Sequence, residues 1–322
     1  MQHPTVAQLR SAPAALDDDF ASAVIDGLSR PQKTLPCRFF YDARGSELFE
    51  EITRLPEYYP TRTEMTILHE HAADMLQGLP SGGVLVEFGS GSSRKTEILL
   101  RQLPQLSAYV MIDVSASALA GAKSRLAERF PELDVRAIVA DFSVALALPD
   151  GLQRRPKIGF FPGSTIGNLT PGEAVRLLGA FRAALAPQGR LIIGADLKKD
   201  ARTLVLAYND PAGVTAAFNL NLLARINREL GGDFDLAAFR HEAIYNPRHG
   251  RIEMYLVSST LQQATVREHR FLFRPGETIH TENSYKYTID QFRELARAAD
   301  WLPRHVWTDA ANLFSVHELV AG

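Results

Sequence analysis

The stretch GGVLVEFGSG, Gly82–Gly91, decides the fold. Its short apolar run ends in glycines, a pattern typical of a buried strand in a parallel sheet. Gly89 and Gly91 allow a tight turn at the carboxyl end of this strand and let a ligand approach the backbone. Residues 92–103 read as a helix, whose first amide groups are unpaired and can also bind a ligand. The stretch therefore predicts a strand–turn–helix unit with a ligand site at the turn.

Strands and helices continue to alternate after this unit. Strands are predicted at 107–115, 134–142, 157–168 and 189–197, and helices at 116–130 and 171–185. Such alternation is typical of βαβ units, so the predicted fold class is α/β with a doubly wound, Rossmann-like parallel sheet.

The alternation ends near residue 200. Helices are predicted at 201–210 and 214–230, and period-2 patterning predicts antiparallel strands within 240–273. A helix at 288–301 and a final pair of strands at 304–321 follow. The sheet is therefore expected to be interrupted by an inserted, mixed α+β module near 200–286.

Composition excludes several classes of protein. The 322 residues carry a net charge of -2 without a dense Lys/Arg tract, which argues against nucleic-acid and membrane-surface partners. We find no signal peptide and no apolar run long enough for a membrane span, so a cytoplasmic location is expected. Cys37 is the single cysteine, and the nine histidines lack metal-binding spacing. No disulfide and no metal site are therefore predicted.

Two cofactor classes compete for the glycine turn. A dinucleotide site favours G-x-G-x-x-G, but Arg94 occupies the third glycine position, and a phosphate-binding loop would need its second glycine elsewhere. Asp113 ends the second strand, where a carboxylate can accept both ribose hydroxyl protons. Asp141 and Phe142 end the third strand, where an acid can bind the adenine amino group and a ring can pack on the purine. Capping aspartates and a turn without a ligand are the alternatives; acids at successive strand ends favour a nucleoside-type cofactor.

The pattern E-x-G-x-G, Glu87–Gly91, resembles the first motif of class I S-adenosyl-L-methionine methyltransferases. Four longer blocks resemble one family of these enzymes: FFYDARGSELFEEITRLPEYYPTRTE, FPGSTIGNLTP, LVLAYND and IHTENSYKY. That family is the bacterial histidine-specific Nα-methyltransferases of ergothioneine biosynthesis. The resemblance runs from about residue 20 to the end of the sequence. It implies conversion of L-histidine, through its mono- and dimethyl forms, to the trimethylated betaine hercynine.

The resemblance also implies a split architecture. Residues 61–199 and 287–322 would form the cofactor-binding methyltransferase core, and residues 1–60 and 200–286 the substrate-recognition domain. The implied cofactor contacts are Tyr41, Gly89, Lys95, Asp113, Asp141 and Phe142. The implied substrate contacts are Tyr58 beside the amino acid, Asn168 and Tyr208 at its carboxylate, Glu282 and Ser284 at its imidazole, and Met254 in the pocket wall.

Residue chemistry agrees with several of these roles and leaves alternatives open. Asn168 follows a glycine-bearing turn after the fourth strand, and its amide can bind a carboxylate or stabilise the turn. Tyr208 lies in an apolar segment that reads as a helix, where a core tyrosine is equally compatible. Glu282 and Ser284 alternate on a predicted strand and so share one face. That face could bind an imidazole or could be solvated.

The stretch LPEYYPTRTE, Leu55–Glu64, contains two adjacent tyrosines between prolines. Because proline pushes the preceding residue away from helical geometry, the segment is predicted to be extended and to display its rings. Tyr58 is the candidate catalytic residue, because its hydroxyl could orient the substrate amine and pass the released proton to water. Its ring, with those of Tyr41, Phe49 and Tyr59, could wall a chamber for a quaternary ammonium. Tyr59 is alternatively expected to pack into the seam between the domains.

Other functions remain compatible with the sequence. A related enzyme could methylate another free amino acid such as tryptophan, although an unpaired buried Glu282 beside an indole would be costly. A non-catalytic sensor of S-adenosyl-L-methionine could retain the fold without turnover. The protein is expected to act on a small molecule and to be a monomer.

Overall fold

A seven-stranded sheet forms where the alternating pattern lies. The computed structural model describes residues 13–91, 93–142, 148–149 and 151–322. Its α-helices are α1 (Pro13–Leu28), α2 (Ala43–Ile52), α3 (Tyr59–Leu76), α4 (Arg94–Leu100), α5 (Ala116–Arg129), α6 (Pro171–Leu185), α7 (Ala201–Leu206), α8 (Val214–Leu230) and α9 (Ile289–Arg297). Its strands are β1 (Lys33–Thr34), β2 (Val84–Phe88), β3 (Ala108–Asp113), β4 (Asp134–Val139), β5 (Lys157–Phe161), β6 (Arg190–Asp196), β7 (Phe239–Asn246), β8 (Arg251–Ser258), β9 (Gln262–Val266), β10 (His269–Phe273), β11 (Thr278–Tyr285), β12 (Trp301–Thr308) and β13 (Phe314–Ala321).

The large sheet has the strand order β12-β13-β6-β5-β2-β3-β4. The pairs from β6 through β4 are parallel, whereas β13 runs antiparallel to both β6 and β12. The chain leaves β2 toward β3 on one side and later occupies β5 on the other. The strand order therefore reverses beside β2, which is where open α/β sheets bind ligands. The predicted doubly wound α/β fold and the predicted final strand pair are confirmed.

Helices cover both faces of this sheet because its central strands are apolar on both sides. Val84, Val86 and Phe88 of β2 pack on one face in a core that includes residues of α6 and α9. Leu85 of the same strand packs on the opposite face with residues of α3, α4 and α5. All five residues of β2 are buried, in agreement with the predicted buried strand.

Smaller sheets form in the second half of the chain. Four strands are ordered β1-β11-β8-β7, and β9 pairs with β10 as an antiparallel ladder. The predicted strands within 240–273 are therefore present. No helix in the described ranges is both long enough and apolar enough to cross a bilayer.

Contacts divide the chain into two compact units. The sheet unit comprises Ser46–Thr215, Ala243–Glu253 and Asn283–Gly322, and holds the large sheet. The second unit comprises Met1–Gly45, Ala216–Glu242 and Met254–Glu282. These units keep residues 46–60 and 200–215 with the large sheet. The division of the chain into a cofactor part and a substrate part stays a prediction.

Candidate functional site

The glycine turn leaves room at the end of β2. Gly89 and Gly91 have φ values of +71° and +46°, which favour glycine. A Cβ atom at Gly89 would lie 3.4 Å from the ring of Phe142, and one at Gly91 would meet open space. The hydroxyl of Ser90 is buried and has no hydrogen-bond partner among the described residues. The turn therefore offers an aromatic ring, an open backbone and an unsatisfied polar atom.

Asp113 lies at the neighbouring strand end with its carboxylate fixed in place. Its Oδ2 accepts a hydrogen bond from the Gly91 amide, and its Oδ1 accepts one from the Ser115 amide, each at 2.9 Å. Each carboxylate oxygen keeps a further lone pair. Because these two amides hold the group, it needs no rearrangement to accept two hydroxyl protons.

Asp141 and Phe142 follow β4 at the same edge of the sheet. Asp141 is exposed, and Phe142 is half-buried. The Phe142 ring packs edge-on against Phe161, with ring centroids 5.6 Å apart. The ends of β2, β3 and β4 are adjacent, so the structure brings together the glycine turn, Asp113 and the Asp141–Phe142 pair. This arrangement fits a nucleoside.

Lys95 is anchored by a residue that the sequence analysis did not identify. Its ammonium lies 2.5 Å from Glu64 of α3. Glu64 is fully buried and also accepts from the Gly163 amide at 2.9 and 3.0 Å. The pair therefore ties α3 and the start of α4 to the turn after β5. A glutamate within a helix gives no sequence signal for such a contact.

Glu87 of the E-x-G-x-G motif lies behind the turn. It is buried and accepts a hydrogen bond from the Tyr109 hydroxyl. Burial raises the pKa of Glu87 to about 8 and outweighs the hydrogen bonds that lower it. Ser93, at the start of α4, lies 3.1 Å from the same tyrosine oxygen. Glu87 therefore supports the turn from the sheet side.

Asn168 is presented by the turn after β5. Gly163 and Ser164 both have positive φ, and a 3-10 helix, Thr165–Asn168, follows. The Asn168 side chain is half-buried, and its amide makes no hydrogen bond within the described residues. Its amide is consequently able to bind a ligand at this edge.

The segment with the two tyrosines is a tight turn, so the prediction of an extended segment is wrong. The Tyr58 amide donates to the Leu55 carbonyl at 3.1 Å, and α3 already begins at Tyr59. Pro60 sits in the first turn of that helix, where its missing N–H costs nothing. Proline thus starts the helix here and does not keep Tyr59 out of it.

Both tyrosines are buried, in different surroundings. The Tyr58 ring lies edge-on to Phe49 and to Tyr208, with centroids 6.3 and 6.2 Å apart. The Tyr59 hydroxyl donates to Asp196 at 2.7 Å and accepts from Lys199 at 2.6 Å. Tyr58 therefore belongs to an aromatic wall, and Tyr59 belongs to a polar network.

That network, here named the Asp196 cluster, consists of Tyr59, Asp196, Lys199, Tyr208, Ser284 and Lys286. Asp196 ends β6 and is fully buried. Burial alone would raise its pKa, but the ammonium groups of Lys286 and Lys199 lower it below the ordinary value. Burial lowers the pKa of Lys199 to about 8, against the opposing effect of Asp196. The cluster is a buried ionic centre at the carboxyl edge of the sheet.

Lys286 connects Asp196 to two of the predicted substrate residues. Its ammonium lies 2.7 Å from Asp196 Oδ2, and donates to Tyr208 Oη and to Ser284 Oγ at 2.9 Å each. Tyr208 Oη and Ser284 Oγ are themselves 2.8 Å apart. Tyr208 follows α7 in a turn, so its predicted helical position is wrong. Asp196, Lys199 and Lys286 were missed because the sequence does not show which strand positions meet in space.

The remaining predicted residues lie in the second unit. The Tyr41 ring packs edge-on against Phe218, with centroids 5.8 Å apart. Met254 is buried on β8, and its carbonyl accepts from the Thr281 hydroxyl at 3.1 Å. Glu282 is buried on β11, two residues before Ser284, as the predicted alternation requires.

Comparisons with known proteins show which family and relatives the chain resembles. A model of the family described as "Histidine-specific methyltransferase, SAM-dependent" matches residues 20–321. The histidine N-alpha-methyltransferase of Mycolicibacterium smegmatis is 42% identical over 295 residues, covering 90% of this chain and 91% of that protein. The Mycobacterium tuberculosis protein of the same name is 42% identical over 299 residues, covering 91% of this chain and 92% of that protein. Ergothioneine biosynthesis protein 1 of Neurospora crassa is 29% identical over 310 residues, covering 92% of this chain and 34% of that protein.

Proposed function

Because the chain belongs to the family of S-adenosyl-L-methionine-dependent, histidine-specific methyltransferases, we propose that it methylates the α-amino group of free L-histidine three times. The product would be hercynine, an intermediate of ergothioneine biosynthesis. The mycobacterial relatives support the reaction, and the Neurospora relative supports the pathway. The observation that carries the proposal is the pair of features at one sheet edge. The turn after β2 and the end of β3 fit a nucleoside, and the buried Asp196 cluster lies at the end of β6 on the same edge of the sheet.

The turn residues suit the cofactor. Asp113 would accept the ribose hydroxyl protons, Phe142 would pack on the adenine, and Gly89 would let the backbone approach. Asp141 would accept from the adenine amino group, and Lys95 and Tyr41 would complete the contacts. Bound S-adenosyl-L-methionine supplies an electrophilic methyl group on a sulfonium centre. The protein mainly has to align the amine and exclude water.

The substrate residues would hold the amino acid by its two ends. Asn168 and Tyr208 would bind the carboxylate, Glu282 and Ser284 the imidazole, and Met254 would form part of the wall. Holding both ends fixes the direction of the amine lone pair. A terminal amine has a pKa of about 8, so a usable neutral fraction exists near that pH without a dedicated base. Tyr58 would orient this amine and would not need to be ionised.

The aromatic wall explains how methylation could proceed to the third step. Each added methyl group removes an N–H, so a site that relied on hydrogen bonds to the amine would stop early. The rings of Phe49 and Tyr58 make no such demand, and aromatic faces attract the final quaternary ammonium. The same wall therefore serves the free, mono- and dimethylated substrates.

A mass-shift experiment tests the proposal. The purified chain is incubated with S-adenosyl-L-methionine and each free amino acid in turn, and product masses are followed with time. Histidine should gain three methyl groups. A triple gain on tryptophan or another amino acid, with none on histidine, would refute the substrate. Tight cofactor binding without any product would favour a sensor.

We also propose that the enzyme acts as a cytoplasmic monomer, as the sequence predicts. Light scattering of the purified chain with and without S-adenosylhomocysteine measures its mass in solution. A stable dimer in both conditions would contradict the monomer.

A further inference from the structure

Lys286 has no solvent-facing donor left. An ammonium has three N–H groups. Within the described residues these point at Asp196, Tyr208 and Ser284, at distances between 2.7 and 2.9 Å. The side chain is completely buried, so water does not compete for these contacts. Asp196 holds the lysine, because this carboxylate is fully buried and also accepts hydrogen bonds from Tyr59 and Lys199.

The direction of the hydrogen bonds follows from this arrangement. Tyr208 Oη and Ser284 Oγ must both accept from Lys286, since an ammonium only donates. The two oxygens also share a hydrogen bond at 2.8 Å, which uses one of their two hydroxyl protons. One hydroxyl proton is then left to be directed out of the trio. The pair can therefore donate to an external acceptor only once.

We infer that Lys286 is a positioning residue that makes the Tyr208 hydroxyl a hydrogen-bond donor for the carboxylate of the substrate. This inference rests on the proposed function, in which Tyr208 binds that carboxylate. A carboxylate only accepts, so the outward proton belongs to Tyr208, and the Ser284 hydroxyl donates to Tyr208. Ser284 then meets the imidazole as an acceptor, which requires an N–H on the ring nitrogen that faces it.

Removal of Lys286 should therefore weaken recognition of one chemical group. In Lys286→Met, the Tyr208 hydroxyl loses the donor that fixes its direction and is free to rotate, whereas the Ser284 oxygen still offers a lone pair to the imidazole. Loss of one oriented hydrogen bond to a charged group corresponds to about a tenfold to hundredfold change. We expect KM for L-histidine to rise by about that factor. The alcohol L-histidinol lacks the carboxylate, and its KM should change less than about threefold.

The experiment uses steady-state kinetics of the full chain with both substrates. Lys157→Met is the matched control, because Lys157 is a buried lysine at the first residue of β5, at the opposite edge of the sheet. Binding of S-adenosylhomocysteine by calorimetry and thermal unfolding report whether the cofactor site and the fold are intact. Wild type and Lys157→Met should prefer histidine over histidinol equally, whereas Lys286→Met should lose that preference.

A double-mutant cycle with Tyr208→Phe tests the route of the effect. If Lys286 acts through the Tyr208 hydroxyl, Lys286→Met should raise KM by less than about threefold in the Tyr208→Phe background. Additive effects, or an equal rise of KM for histidine and histidinol, would overturn the inference. Should Lys286→Met fail to fold, Asp196→Asn loosens the lysine while conserving shape. It should then reduce the histidine preference, and an unchanged preference would also refute the role.

Failure of the proposed function gives a different result. If wild type methylates another amino acid but not histidine, the proposed substrate is wrong. The comparison of that amino acid with its corresponding alcohol still decides the role of Lys286, because every free amino acid has a carboxylate.

Discussion

At the scale of single residues, buried polar groups organise the site. Glu64, Glu87 and Asp196 are each removed from solvent, and each is held by hydrogen bonds. Burial of a charge is costly unless the charge is paired or neutralised. Asp196 and Glu64 are paired with lysines, whereas burial raises the pKa of Glu87 to about 8 and outweighs the opposing charge of Lys95. Pairing with a lysine thus offsets the cost of burying the charge of Glu64 and Asp196, whereas Glu87 avoids that cost by keeping its proton.

Glu87→Gln should change the pH dependence of stability. The folded pKa of Glu87, about 8, lies above its ordinary value, so the folded chain binds the extra proton. The resulting stabilisation is present at acid pH and is lost as pH rises through about 8. Between about pH 4.5 and pH 8, chemical denaturation should show that the free energy of unfolding of the wild type falls relative to that of the variant, by on the order of a few kcal/mol. If the free energies of unfolding of the two proteins change in parallel with pH, Glu87 does not keep a proton in the folded state.

Tyr59→Phe should destabilise the folded state. The substitution removes a donor from buried Asp196 and an acceptor from Lys199, which corresponds to about 1–3 kcal/mol. Tyr245→Phe is the control, because the half-buried Tyr245 hydroxyl has no hydrogen bond within the described residues. That control should stay within about 0.5 kcal/mol of wild type in urea unfolding. Equal stability of the two variants would show that the Tyr59 hydroxyl only fills space.

At the scale of elements, most residues of the candidate site lie at the carboxyl ends of strands. The sequence predicts most of these strand ends. Strand–helix alternation and glycines placed Gly89, Asp113 and Phe142 at one edge, because these signals are local. The Asp196 cluster could not be predicted in this way. Lys286 follows β11 and meets Asp196 of β6 only after distant parts of the chain pack. The sequence predicts an extended tyrosine segment, and this prediction is wrong because proline also favours the first turn of a helix, where Pro60 lies.

Gly89→Ala should impair the cofactor site more than the fold. A side chain at φ +71° costs about 1–2 kcal/mol, and its Cβ atom would lie in contact with the Phe142 ring, where the adenine is proposed to pack. Gly78→Ala imposes similar strain at φ +79°, with nothing within 4 Å of the new atom. Both variants should lose similar stability, but only Gly89→Ala should bind S-adenosylhomocysteine about tenfold or more weakly. Equal affinities in calorimetry would remove Gly89 and Phe142 from the cofactor site.

At the scale of the whole molecule, ligand binding and stability are linked. A ligand that binds only the folded chain, at a hundredfold excess over its Kd, stabilises it by about 2.7 kcal/mol. S-adenosylhomocysteine should therefore raise the unfolding temperature of wild type. Asp113→Asn should show a smaller rise, because an amide can accept only one ribose hydroxyl proton without turning an N–H group toward the other. If S-adenosylhomocysteine raises the unfolding temperature of Asp113→Asn as much as that of wild type, Asp113 does not bind the ribose.

The position of β13 constrains how the protein can be made. Residues 314–321 insert between β6 and β12, although β6 is synthesised more than a hundred residues earlier. During translation, β6 therefore remains an open edge until residues 314–321 leave the ribosome, and an open edge invites pairing with other chains. A nascent chain stalled before Phe314 should stay protease-sensitive, whereas one stalled well beyond Ala321 should resist digestion.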